Sequence, residues 1–230
     1  METSLHRQLK ALYAGPEDRI EVRLGNYRID VVRGTELVEI QHGSLAAIRD
    51  KVRRLAEDHD VLVVKPIVAR KSLVRLSKDG LEVSRRLSPK HGTLLDIFDE
   101  LVYFTRAYPH PRLTLEIRLV EVEEQRTPGH GRRRRWRRND HVVVDQRLVA
   151  AGEPHRLGTA ADLLTLLPAQ LPSPFHTGQL AALADVPRAV AQRIAYCLRE
   201  MGAVETVGKQ GNSHLYQVPS LPRKRKPRAA

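Results

Sequence analysis

Asp30 and Glu39 are the residues of this chain whose types and spacing best fit chemistry. They flank Gly34-Thr35 in the stretch Arg28-Ile-Asp-Val-Val-Arg-Gly-Thr-Glu-Leu-Val-Glu-Ile-Gln41. Two apolar-rich runs around Gly-Thr predict a hairpin with a two-residue turn, glycine taking the position that needs φ > 0. That turn sets Asp30 opposite Glu39 and Arg28 opposite Gln41. Side chains alternate along a strand. Arg28, Asp30, Val32, Leu37, Glu39 and Gln41 then share one face, and Ile29, Val31, Val38 and Ile40 turn to a core. Opposed carboxylates sit ~4.5–5.5 Å apart at Cβ and repel. A hard divalent cation such as Mg²⁺ would offset the repulsion, because it takes oxygen ligands, commonly one or two carboxylates plus substrate phosphates. The competing reading is a solvated face on which Arg28 or Arg33 pairs with the two acids. Lys65, near the end of the apolar run Val61–Val68, would supply a cation beside the acids; a lysine snorkelling from a strand end is the alternative.

Asp30 followed by Glu39-Ile40-Gln41 resembles the PD-(D/E)XK nuclease superfamily, whose core pattern is an Asp on one strand and Glu-X-Lys on the next. Gln41 stands where that pattern has Lys, a Glu-X-Gln version that occurs in some branches, including competence-protein-like nucleases. Ile29 replaces the Pro that precedes the Asp. The superfamily often adds a Glu on a helix before the hairpin, and Glu2 is placed for that role. The resemblance implies an α/β (α+β) fold, with a restriction-endonuclease-like mixed sheet flanked by helices. It further implies phosphodiester hydrolysis with Mg²⁺ or Mn²⁺ held by Asp30, Glu39 and the Ile40 carbonyl. Gln41 would orient a water or contact the phosphate; it cannot act as a base or carry charge. Glu2, Asp30, Glu39, Gln41 and Lys65 are the catalytic candidates.

These residues need elements to position them. Glu2–Tyr13 reads as a helix with Leu5, Leu9 and Leu12 as its apolar stripe, and Glu2 and His6 lie together one turn apart. Glu21–Leu24 is a first strand, Tyr27–Val32 and Leu37–Gln41 the next two. Ser44 caps a helix with Leu45, Ile48, Val52 and Leu55 inward. Val61–Val68 is a central strand, parallel to the one before because a helix crosses between them. Ser72–Leu76 and Leu81–Arg86 read as further strands, Thr93–Val102 as a helix and Leu113–Val122 as an alternating strand. Glu121, Glu123 and Glu124 form a rival carboxylate cluster, for which a solvated strand end is the better account.

The charge is informative. The chain has 230 residues and a net charge of +12, with seven Arg and no acid between Arg126 and Arg138, and five Lys or Arg and no acid between Arg223 and Arg228. Those twelve residues equal the whole excess, so the remainder is near neutral and two segments carry the positive field. Such clusters suit a polyanion. Trp136 lies among Arg132, Arg133, Arg134, Arg135 and Arg137, where an aromatic ring can stack on bases. One cysteine, Cys197, excludes an intrachain disulfide. It falls in an apolar stripe rather than a reactive setting. No apolar run approaches the ~20 residues of a membrane helix, no secretory leader is visible, and a cytoplasmic protein is expected. Ten scattered histidines make no HExxH, and the glycines make no P-loop or Rossmann pattern.

The last third reads as helix, turn, helix and hairpin. Thr177–Ala184 is a short helix, and a second runs from Pro187 to about Met201 with Val190, Ile194, Cys197, Leu198 and Met201 buried. Gly202 ends it. Ala203–Val207 and Ser213–Val218 flank a basic, glycine-containing tip. This order resembles a winged helix, which implies DNA contacts from Arg188 and Arg193 on the second helix and Lys209 on the wing. A nuclease-like half followed by a winged helix also resembles a bacterial family of that layout.

The expected organisation is a nuclease-like domain over 1–125, an arginine-rich linker and docking strand over 126–158, a winged helix over 159–220 and a basic tail over 221–230. The expected function is a metal-dependent DNA endonuclease. Two alternatives stay open: a non-catalytic DNA-binding regulator whose nuclease-like domain is a partner or homodimer surface, and an RNA-binding protein.

Overall fold

A computed structural model of the chain describes residues 3–129 and 141–219. The fold is a mixed α+β arrangement with a large mixed sheet flanked by helices. Helix α1 (Ser4–Tyr13) starts at Thr3, whose hydroxyl accepts the His6 amide. Strands β1 (Arg19–Leu24), β2 (Tyr27–Arg33) and β3 (Glu36–Ile40) follow, then a 3-10 turn (Leu45–Ala47) capped by Ser44 and helix α2 (Arg49–Asp58). Next come β4 (Val61–Leu76), β5 (Glu82–Leu87), the short helix α3 (Ile97–Leu101), β6 (Leu113–Pro128) and β7 (His141–Leu157). Together the strands make one seven-stranded sheet in the order β1-β2-β3-β4-β6-β7, with β5 added to β4. β1, β2 and β3 pair antiparallel, and β4 is parallel to both β3 and β6. The parallel β3–β4 step follows from the α2 crossover, as the sequence predicts.

One core cluster lies between α1 and the sheet. Leu5, Leu9 and Tyr13 pack on Val31, Val38, Ile40, Leu62, Val64, Val120 and Val122. The expected stripe is corrected at its last member: Tyr13 is buried, and Leu12 is 46% exposed. Positions four apart stack along one helix face, and 5, 9 and 13 keep that step while 12 drifts off it.

Two strands are longer than their sequence patterns suggest. Val61–Val68 and Ser72–Leu76 are one strand, with a register shift against β6 at Val68/Arg70. No glycine or proline lies between them to make a turn, so an irregularity absorbs the break instead. β6 continues to Pro128 because β7 pairs with it along nearly its whole length, from Leu115↔Leu157 to Pro128↔His141. β7 is therefore a member of this sheet. The first compact unit ends at Thr159, so the expected boundary at 125 falls inside it, and the expected boundary after 158 lies one residue from the observed division.

The second unit begins at Ala160. It contains α4 (Thr177–Leu183), α5 (Arg188–Glu200), and the hairpin of β8 (Glu205–Gln210) and β9 (Ser213–Gln217). Ala191, Ile194, Ala195, Cys197 and Leu198 are the buried stripe of α5. Gly202 takes φ +78 just past the helix, the left-handed conformation that ends it. Phe175 exchanges two backbone hydrogen bonds with Tyr216, at 2.9 and 2.8 Å, which adds an extended segment beside β9.

Candidate active site

The β2–β3 hairpin has the predicted register. Val31↔Val38, Val32↔Leu37 and Arg33↔Glu36 pair around a turn in which Gly34 takes φ +56. Ile29, Val31, Val38 and Ile40 are buried as expected; Val32 and Leu37, on the other face, are buried too. The backbone ladder stops at Val31↔Val38. At the next position Asp30 Oδ2 accepts the Ile40 amide at 2.8 Å, so a side chain replaces a rung. β3 meanwhile turns its hydrogen bonds to β4, with the Gln41 amide donating to the Val64 carbonyl at 2.9 Å.

A cleft of about 610 Å³ opens where the strands part, and Asp30, Glu39, Ile40 and Gln41 all line it. The sequence motif thus assembles at one place. Asp30 Oδ1 lies 3.2 Å from His6 Nε2. Burial pushes the Asp30 carboxyl up, but the His6 and Ile40 hydrogen bonds together outweigh it and hold the group below its ordinary value. Glu39 behaves oppositely. Its side chain is 5% exposed, and burial raises its pKa to about 7 against the pull of Lys51, with Asp30 adding to the rise. The two acids therefore sit in one cleft with their affinities for protons pushed apart, a pattern found at functional sites.

Lys51 is the site residue the sequence motif did not reveal. Its Nζ lies 2.6 Å from Glu39 Oε1, and the same ammonium donates to the Arg28 carbonyl. The Lys51 ammonium is thus the cation held against the buried Glu39 Oε1. Lys51 precedes Leu55 by one helical turn and so borders the buried stripe of α2, but its partner lies on β3. His6, Lys10, Glu21 and Arg28 also line the cleft.

Lys65 is not in the cleft and is corrected. Its Nζ donates to the His42 and Gly43 carbonyls and pairs with Glu100 Oε1 at 3.2 Å. Burial depresses its pKa, against the effect of Glu100. Glu100 in turn accepts the Ser44 hydroxyl at 2.9 Å and the Leu45 amide at 2.8 Å. Lys65 thus braces the loop after β3. The Gln41 side chain joins the same loop, donating to the Ser44 carbonyl at 2.7 Å. The rival cluster is also structural, but not solvated. Glu124 is 3% exposed; burial raises its pKa, and Lys71, Arg126 and Gln146 together bring it down to about 2. Glu123 is paired with Arg85 at 2.6 Å.

The donor set fits a hard divalent cation. Two carboxylates and Ile40 border the cleft, and the Lys51 ammonium lies against Glu39 Oε1. Among the described residues no three His, Cys, Asp or Glu side chains gather as a metal set. Glu2, the expected third acid, lies outside the described residues, as do Arg132, Arg133, Arg134, Arg135, Trp136 and Arg137. In the second unit Arg188 opens α5 and donates to Ser213 Oγ at 3.2 Å. Arg193 lies on the same helix, partly buried, and Lys209 sits exposed on β8 opposite His214. No described helix is long and apolar enough to cross a membrane.

Comparison with known proteins adds a family. An uncharacterized protein of Treponema pallidum (strain Nichols) is 30% identical over 219 residues, covering 94% of this chain and 85% of that protein. An alignment of that length must extend into the second unit. No solved structure matches the chain. A family model described as "Domain of unknown function (DUF8091)" matches residues 3–158, almost the whole of the first unit, and the chain belongs to that family.

Proposed function

We propose that the chain is a divalent-metal-dependent DNA endonuclease, with catalysis in the first unit and duplex contact from the second. One observation carries the reading: Asp30 and Glu39, on neighbouring strands, line a single cleft with Ile40, and the buried Glu39 carboxylate is held there by one lysine. In this reading Asp30, Glu39 and the Ile40 carbonyl hold Mg²⁺ or Mn²⁺. The ion supplies charge neutralisation for the scissile phosphate and activation of the attacking water. The Ile40 amide and His6 fix the Asp30 carboxylate. Lys51 takes the cationic place that Gln41 leaves vacant: it lowers the cost of a buried, ionised Glu39 and presents an ammonium to the phosphate. The carbonyl oxygen of Gln41 accepts a hydrogen bond from the water and orients it. The second unit is proposed to be a winged helix, supported by the sequence of α4, α5 and the β8–β9 hairpin, with Arg188, Arg193 and Lys209 at the DNA backbone.

One contact favours a second reading, a DNA-binding regulator without chemistry. The Gln41 amide group is committed to the Ser44 carbonyl, and no lysine stands at the motif's third position. Incubation with supercoiled, linear and branched DNA, and with RNA, in Mg²⁺, Mn²⁺ or chelator separates the two. The endonuclease requires cutting that depends on metal, falls at least about a hundredfold in Asp30→Ala and Glu39→Ala, and falls about 10–100-fold in Lys51→Ala. DNA binding without cutting in either metal would establish the regulator.

A further inference from the structure

Lys10 and Arg28 reach the cleft from different elements and close on one carboxylate, Glu21. Lys10 comes from α1 with its side chain 6% exposed. Arg28 comes from β2 with its side chain 71% exposed. Glu21 lies on β1 between the pairs Ile20↔Val31 and Val22↔Ile29, which places it across from Asp30. Its backbone takes φ +58 in the middle of the strand, a conformation that costs energy for any residue but glycine. A merely decorative ion pair at a strand surface needs no such departure.

We propose that Arg28 forms a subsite for the nucleic-acid phosphate next to the scissile one, and that Glu21, held from behind by Lys10, occupies it as an internal stand-in which the phosphate displaces from Arg28. The proposal rests on reading Asp30 and Glu39 as the phosphodiester site. A carboxylate held by a lysine and an arginine offers the same charge and the same acceptor pair as a phosphodiester. The unequal burial of the two cations decides which one changes partner. Lys10 is buried and keeps Glu21, since a buried charge stripped of its partner is costly. Arg28 is exposed and can turn to an incoming phosphate at little cost. The exchange leaves Lys10 with Glu21 and Arg28 with phosphate, so no charge is stranded at any stage. Glu21 also sets a threshold: a weakly bound anion cannot compete for Arg28, whereas a backbone anchored at neighbouring phosphates can.

The test is fluorescence anisotropy of the full chain on a labelled DNA duplex in chelator, across a salt series. Arg28→Gln weakens binding about two- to fivefold and lowers the slope of log Kd against log salt by about one. Glu21→Gln tightens binding by a similar factor, and the Glu21→Gln/Arg28→Gln double variant binds like Arg28→Gln alone. An Arg28→Gln variant with unchanged affinity and slope overturns the subsite. So does a Glu21→Gln gain that persists without Arg28, since that gain would be the loss of one negative charge anywhere on the face. If Glu21→Gln unfolds, because Lys10 loses its anion, the exposed Arg28 variant still decides. Coupling of Glu21 and Arg28 in a protein that never cuts DNA would sink the endonuclease and keep the subsite; metal-dependent cutting without coupling would do the reverse.

Discussion

Glu39 shows what one buried carboxylate imposes on the cleft. Its ordinary value of 4.5 is raised to about 7 by burial, even with Lys51 in contact. In the window between those values the folded protein holds a proton that the unfolded chain has released. Stability therefore falls as pH rises from 4.5 to 7 and levels off above, a loss of up to roughly 3 kcal/mol. Glu39→Gln removes the penalty. In chelator the variant should match wild type near pH 4.5 and exceed it by about 1–3 kcal/mol at pH 8, read by urea unfolding at both pH values. Identical pH profiles for the two proteins would show that Glu39 is ionised throughout. With Mg²⁺ added at pH 8, wild type alone should gain thermal stability, because only it offers the ion a second carboxylate.

At the scale of elements, the loop from β3 into the 3-10 turn decides where the motif points. Glu100 of α3 accepts from Lys65, Ser44 and Leu45, and Lys65 holds the His42 and Gly43 carbonyls. Removing Glu100 leaves Lys65, 7% exposed in its side chain, as a buried cation without its ion-pair partner. Glu100→Ala should cost about 1–3 kcal/mol, below the range for fully buried pairs because Glu100 itself is partly exposed. Lys65→Met, which deletes the charge along with its needs, should cost less. Both variants should keep measurable cutting, unlike Asp30→Ala, because they loosen the loop without touching the acids. Loss of activity in Lys65→Met equal to that in Asp30→Ala would return Lys65 to the catalytic set.

Across the whole molecule, charge and structure are arranged separately. The twelve cations of 126–138 and 223–228 equal the net charge of +12, while the cleft and the folded units carry balanced pairs. Binding to a duplex should therefore be strongly salt-dependent, with most of the slope coming from those segments. Deleting 221–230 should lower the slope of log Kd against log salt by up to about 4, and Arg188→Ala or Lys209→Ala by about one each. A slope unchanged by the deletion would show that the tail neutralises no phosphate. The first segment joins β6 to β7 in sequence, within one sheet. Arg126 is paired with the buried Glu124, so replacing the other six arginines of the segment by glutamine should reduce DNA affinity without altering the fold of either unit.

Local rules were enough for the hairpin: Gly34 at a two-residue turn, alternation on either side, and hence Asp30 near Glu39. They also sufficed for the order of strands around α2, which depends on a single crossover, and for most of the α5 stripe, where Ile194, Cys197, Leu198 and Met201 are buried but Val190 is only half-buried and Ala191 and Ala195 are buried in addition. Lys51, Lys65 and Glu21 were beyond their reach. Each takes its role from a partner on another element: Glu39 from β3, Glu100 from α3, Lys10 from α1. Strand length was also decided in three dimensions, since β6 is carried past Val122 by pairing with β4 as far as Arg126 and with β7 as far as Pro128. Sequence by itself determined which residues could share a face. Burial and cross-element pairing, which exist only once the sheet and helices have packed, determined which of those residues hold a charge in the cleft and which brace it from behind.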